Sequence, residues 1–411
     1  MIKEKTILQN AQSGIEDRKI VLFGAGKIGR SFIGQLFSRG GYEVVFIDVF
    51  KPVIDALNSR KEYAVIIKSN QDEVLTINHV RGILASDEPA VVFEIATASI
   101  VAVSIGQQGL PNAIPLIAKG LLLRYKEMPH SPLDIIIAEN LRHAADYFRT
   151  ELKPLLPTDY PFDTLVGLVE TSIGKMVPIM LQKDMEADVL QVFAEPYNTL
   201  ILDKLAFRNP IPDIAGLAPK ENMKAWVDRK LFIHNLGHAT TAYLGFMYNP
   251  KFVYLYEALA VSEIKTVVRD TMLQAADILQ KRYPEEFTLE DLTVHTDDLI
   301  SRFQNRALGD TIYRVGCDLM RKLSADDRLA GAIHLAIDLE MPYNRIFNAF
   351  IAGCFFKATD EAGNRMKEDI DFSIKIQKFG FEWALTEVAG FDTNKHEAIF
   401  KTRINNHLIR S

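Results

Sequence analysis

Cysteine is nearly missing from this chain: Cys317 and Cys354 are the only two in 411 residues. Two so widely separated cysteines make neither a CxxC ligand set nor a disulfide framework, so both are expected as small core residues of a cytoplasmic protein. Long apolar runs are missing too. No stretch of about 18 uninterrupted apolar residues occurs, so no membrane-spanning helix is expected. The N-terminus, Met1-Ile2-Lys3-Glu4-Lys5, has no apolar signal core. Basic excess is absent: 47 Lys and Arg stand against 53 Asp and Glu, which argues against nucleic acid as a partner. No Cys/His/Glu cluster has zinc-ligand spacing, so no metal is expected. What remains is 48% hydrophobic and 24% charged, an ordinary globular composition. The length is too great for one core, which implies two domains.

The richest stretch runs from Lys19 to Asp48. Lys19-Ile20-Val21-Leu22-Phe23 reads as a strand and ends in Gly24-Ala25-Gly26-Lys27-Ile28-Gly29. A helical pattern follows (Ile28, Phe32, Ile33, Leu36, Phe37), then a second strand closing on Asp48. Glycines at this spacing allow a tight turn, close approach of backbone to a pyrophosphate, and close helix–strand packing. The helix N-terminus offers N–H groups to phosphate, and an acid after the second strand suits ribose hydroxyls. Val49 and Phe50 follow Asp48, so no arginine waits for a 2′-phosphate, which favours NAD over NADP. The expected cofactor contacts are Gly24, Ala25, Gly26, Lys27, Ile28, Gly29 and Asp48, with Thr97 added. Arg30 reads equally as a phosphate contact or a solvated helix-start residue.

Strand and helix signals alternate through the first half. After a helix at Val53–Leu57, β-type runs fall near Ala64–Lys68 and Val74–Val80. Pro89–Ala96 reads as a buried strand, Pro111–Leu123 as a helix and Leu133–Ala138 as a strand; Val166–Val169 and Val189–Phe193 are expected to extend the same sheet. Alternation of this kind predicts an α/β fold, a Rossmann-type doubly wound, mostly parallel sheet. From about residue 215 long helical patterns dominate, Met223–Leu244 and Val253–Leu279 among them. The expected division is an N-terminal extension over 1–18, a dinucleotide domain over 19–198 and a mainly α-helical C-terminal domain over 199–411.

A dinucleotide domain followed by a helical one suggests dehydrogenation, which needs a group to take the hydroxyl proton. The candidate segment is Arg229–His238. On an α-helix His238 would lie about 80° and Asn235 about 140° from Lys230, so the long lysine stem lets all three converge. A desolvated lysine becomes a neutral amine able to accept a proton. Asn235 and Asn140, the latter at a strand end, could donate to the developing alkoxide. His234 competes with His238. The pattern is short, and a solvent-facing lysine beside a capped asparagine remains open on these residues alone.

Several segments together carry a likeness: Phe23–Arg30, Asp55-Ala56-Leu57-Asn58, Ala138-Glu139-Asn140, Glu221-Asn222-Met223, Arg229–Ala239, Ala242–Gly245 and Arg321–Arg328. In this order they resemble the polyol-specific long-chain dehydrogenase/reductase family, over nearly the whole chain beyond residue 18, in its mannitol-1-phosphate 5-dehydrogenase branch. The resemblance implies Lys230 as general acid/base, Asn140 and Asn235 on the oxyanion, His238 beside them, and Arg314 with Lys322 on the substrate. Arg321 and Arg328 make the region basic, as a phosphate would require. The implied reaction is NAD-dependent interconversion of mannitol 1-phosphate and fructose 6-phosphate. The alternatives are a mannitol 2-dehydrogenase, a hexuronate reductase, or a non-catalytic NAD-binding sensor. The expected partner is a small sugar phosphate or polyol, with no membrane or nucleic acid, and the chain a monomer or small homo-oligomer. Where many members carry an Asp-Arg pair near the substrate, this chain has Gly174-Lys175. That leaves the exact polyol open, with Glu170 as a candidate replacement carboxylate.

Overall fold

A computed structural model describes residues 16, 18–69, 71–141, 143–180 and 182–401; most of the 1–18 extension therefore lies outside the described residues. The chain divides into two units, the first ending at Met223 and the second beginning at Lys224.

The first unit is built on an eight-stranded sheet. In chain order the strands are β1 (Lys19–Phe23), β2 (Glu43–Asp48), β3 (Tyr63–Ile67), β4 (Glu73–Ile77), β5 (Val80–Leu84), β6 (Ile100–Val103), β7 (Leu133–Ile137), β8 (Val166–Ser172), β9 (Val192–Ala194), β10 (Leu200–Asp203) and β11 (Leu217–Lys220). The order across the large sheet is β11-β10-β8-β7-β6-β1-β2-β5. Its six strands from β5 to β8 are parallel, in the doubly wound order that reverses beside β1. β1, β6 and β7 are buried along their whole length, which is why they are mostly apolar, with Lys19 and Asp134 as the buried exceptions. β10 joins β8 antiparallel, and β11 pairs with β10. These two strands lie beyond residue 198, so the first unit runs further than the expected boundary.

Two strand expectations are corrected. Pro89–Ala96 lies in a helix, Glu88–Thr97, which opens on Asp87 as N-cap and carries Pro89 in its first turn. A segment apolar but for Glu94 shows no clear period to betray a helix, and this one packs into the core through Val91 and Ile95. Val189–Phe193 does not extend the large sheet. β9 pairs with β3 in a separate sheet of order β4-β3-β9, where β3 and β4 form an antiparallel hairpin.

The first helix, over residues 27–39, widens to a π-helix at Gly29–Gly34. The buried Tyr63 hydroxyl donates to the Arg30 carbonyl (2.7 Å), so the inserted phenol occupies the widened turn. Asn58 fixes β5, its amide exchanging two hydrogen bonds with the Gly82 backbone (2.8 and 3.0 Å).

The second unit is helical. Met223–Arg229 leads through a π-segment, Lys230–Asn235, into the helix Leu236–Tyr248. The last is buried on nearly every side and packs against Leu255–Leu259, Ser262–Arg282, Ile312–Gly316 and Asn344–Cys354. Gly237 allows the approach of Ser262–Arg282, because a Cβ there would run into Met272. The helix expected over Met223–Leu244 is present and widens to a π-turn from the lysine to Asn235.

Candidate active site

The dinucleotide features lie at the carboxyl ends of β1 and β6, where the strand order reverses. Gly24 leaves β1 with φ +99°, and a Cβ on it would collide with the Ser104 carbonyl oxygen. A Cβ on Gly29 would collide with the Gly24 carbonyl, so the third glycine is needed for close packing. Gly26 differs: nothing lies within 4 Å of where its Cβ would stand. Its open side is the room a pyrophosphate needs against the backbone. The Asp48 carboxylate accepts from Ala25 N (2.7 Å) and Phe50 N (2.9 Å), which fixes the loop and leaves acceptor capacity on both oxygens. These residues fit NAD. Arg30 is neither solvated nor at a helix surface; it is buried and donates to the Val189 carbonyl (2.9 Å).

Thr97 is corrected. It lies beside Lys19, at the opposite end of β1 from the glycines, where it accepts from the buried Lys19 ammonium (2.5 Å). That ammonium also bonds Glu16 (2.7 Å) and Glu94 (3.0 Å), and Arg81 ties Glu94 to Glu43. Thr97 therefore closes a buried ion network and is no cofactor contact. Helix Glu88–Thr97 runs towards that end, which a strand assignment could not show.

Asn140 is exposed just past the end of β7. Its neighbour Glu139 is buried. The Glu139 carboxylate accepts from Ile105 N (2.7 Å) and Gly106 N (3.0 Å), anchoring the turn after β6, and burial pushes its pKa up. Glu170 is engaged by Ala145 N (2.9 Å) at the start of a helix. Lys175 is buried, with its ammonium on the Tyr197 carbonyl (2.8 Å) and the Asn198 side chain (2.9 Å).

In the second unit, Lys230 opens the π-segment and Asn235 closes it. A π-turn places residue i+5 nearer to residue i than the 140° of an α-helix, so the widening draws Asn235 toward the lysine face. Lys230 is half-buried, and loss of water together with the Arg328 guanidinium lowers its pKa to about 8. Asp327 opposes this and Arg321 adds to it. Arg328 is buried and bonds Asp327 (2.7 Å); Arg321 is half-exposed and bonds Asp318 (2.5 Å) and Asp327 (3.4 Å). Lys322 is buried, donates to the Val315 carbonyl (2.8 Å), and is likewise lowered to about 8 by burial and Arg328.

His238 stacks on Phe303 (ring centroids 4.8 Å apart, 18° between planes), and its Nε2 meets Asp310 Oδ2 at 2.8 Å. The other Asp310 oxygen pairs with Arg314. His234 is buried against His238 (centroids 6.1 Å) and Phe303. Burial holds both imidazoles neutral. For His238, Arg314, Arg328, Lys322 and Arg302 reinforce this. Asp310 had no signal in the sequence: nothing about an isolated Gly-Asp-Thr marks a carboxylate that folds onto a histidine 72 positions earlier.

Two family models match the chain: one described as the mannitol dehydrogenase Rossmann domain over residues 18–216, the other as the mannitol dehydrogenase C-terminal domain over residues 222–391. Among solved structures, the ternary complex of Pseudomonas fluorescens mannitol 2-dehydrogenase with NAD and D-mannitol is similar at 16% identity and a TM-score of 0.69, covering 95% of this chain and 91% of that one. A substrate-free D-sorbitol dehydrogenase is similar at 17% identity and a TM-score of 0.74, covering 95% and 93%. At such identities the likeness to these two structures is one of fold.

Proposed function

This chain belongs to the mannitol dehydrogenase family, and we propose that it is an NAD-dependent, metal-independent polyol dehydrogenase interconverting mannitol 1-phosphate and fructose 6-phosphate. The observation that carries this reading is a lysine brought to about pH 8 beside Arg328 and Arg321: a proton acceptor set among cations that a neutral polyol would not need.

NAD, when bound, supplies the hydride acceptor. The neutral Lys230 amine takes the proton of the carbinol hydroxyl, and in the reverse direction its ammonium returns a proton to the ketose C2 oxygen. The Asn140 and Asn235 amides donate to that oxygen as negative charge grows on it, each such donor being worth about 3–4 kcal/mol where measured in a protease. His238 keeps one ring nitrogen on Asp310 and offers the other to a substrate hydroxyl. Arg314 and Lys322 hold the polyol chain; Arg321 and Arg328 take the phosphate.

One observation favours a second reading, an unphosphorylated polyol or hexuronate: Arg321 and Arg328 already have carboxylate partners in Asp318 and Asp327. The test is initial-rate oxidation of NADH with fructose 6-phosphate, free fructose and a keto-uronate, on wild type and Arg328→Met. A kcat/KM ratio that favours fructose 6-phosphate over free fructose in wild type and collapses in the variant supports the phosphate assignment; the ratio is read because loss of Arg328 also shifts the Lys230 pKa and so affects both substrates. Good turnover of fructose or the keto-uronate with none of fructose 6-phosphate rejects it.

A further inference from the structure

We propose that Asp310 is a positioning residue of this reaction: its buried carboxylate holds the His238 ring and the Arg314 guanidinium at once, so that one anchor sets both groups. The inference rests on the polyol dehydrogenase reading above.

Each oxygen of Asp310 has a separate duty. Oδ2 takes His238 Nε2 at 2.8 Å, and Oδ1 takes Arg314, one helical turn later. The backbone that carries this carboxylate is itself pinned. The Asp310 carbonyl accepts from Leu255 N (3.0 Å), Thr311 bridges Tyr254, and the Thr311 hydroxyl caps Arg314 N (3.2 Å) at the start of helix Ile312–Gly316. A hydrogen bond from Nε2–H to a carboxylate fixes the tautomer in which Nδ1 carries the lone pair. The ring face is fixed independently by Phe303. The other ring nitrogen of His238, Nδ1, is thus an acceptor suited to a substrate hydroxyl. The charged groups facing it are Arg302 from helix Leu289–Phe303, Arg314, Lys322 and Arg328, with neutral His234 beside it. Asp310 is the negative group bonded to the ring, and removing it leaves imidazole and guanidinium to reorient separately.

The experiment is kinetics of Asp310→Asn, His238→Ala and the double variant, in both directions, with NADH affinity measured by direct binding. Asp310→Asn should bind NADH as wild type does, raise the polyol KM about tenfold through Arg314 and lower kcat about tenfold through His238. The double variant should match His238→Ala in kcat while keeping the raised KM, because the kcat loss is routed through the histidine. Multiplicative kcat losses, or an Asp310→Asn enzyme with wild-type KM and kcat, overturn the proposal; a merely structural ion pair would lower thermal stability alone. Should Asp310→Asn fail to fold, Arg314→Gln carries the test. Without the guanidinium, Asp310 is unmatched and His238 protonates more easily, so the acid limb of ketose reduction should move to higher pH. An unmoved limb overturns the proposal. Inactivity of wild type on every polyol and ketose with NAD(H) would instead be a failure of the functional reading.

Discussion

Replacement of Lys230 by Met tests the proton acceptor on two independent readouts. An ordinary lysine amine titrates near 10.5, whereas burial and Arg328 bring that of Lys230 to about 8. At pH 7 the neutral fraction is then about one in ten rather than about one in three thousand. That is about 300-fold more usable base, equivalent to about 3.4 kcal/mol. For wild type, kcat for polyol oxidation should climb with unit slope and level off above about pH 8, while ketose reduction, which needs the ammonium, should be level below about pH 8 and fall above it. Lys230→Met should lose about 10²–10⁴-fold in both directions and lose the slope. The second readout is stability. The folded pKa lies below the unfolded one, so the charged amine costs stability below about pH 8, and the cost fades as pH rises to 10.5. Lys230→Met should therefore be more stable at pH 7, by at most about 3 kcal/mol, with the two melting curves converging in strong alkali. Initial rates over about pH 6–10, with a deuterated substrate to confirm that hydride transfer limits the rate, measure the first; thermal melts measure the second. A flat alkaline profile under those conditions, or a Lys230→Met enzyme that keeps its turnover, refutes the lysine role.

Two further outcomes follow from local geometry. Gly26→Val should fold normally yet weaken NAD binding by tenfold or more, about 1.4 kcal/mol, because its side chain enters open space, whereas Gly24→Ala should lower thermal stability through its φ of +99° and the Ser104 carbonyl; paired melts and cofactor titrations distinguish them. Lys19→Met should cost about 2 kcal/mol in denaturant unfolding, by removing one of the two cations on Glu94 while Arg81 still holds it, and leave kcat unchanged; a lowered kcat would place that network nearer the chemistry than its end of β1 suggests.

Much of this molecule was legible in one dimension. The strand–glycine–helix–strand–acid order from Lys19 to Asp48 depends on neighbours within one βαβ unit, so local sequence carries it. The lysine, asparagine and histidine of residues 230–238 share one helix for the same reason. Contacts between distant segments were not legible. Pro89–Ala96 is helical because an N-cap and the sheet beneath it decide what an apolar run becomes. β9 seeks β3 instead of the large sheet, since strand pairing is chosen by topology and not by composition. Thr97 and Lys19 meet across 78 positions, and that meeting makes the threonine structural. The π-turn at Lys230 and the Asp310 bridge from His238 to Arg314 likewise depend on how helices pack. Sequence determined which chemical groups are present and which secondary elements carry them. Tertiary packing decided their pKa values, tautomers and partners, because desolvation and hydrogen bonding act through space between residues far apart along the chain.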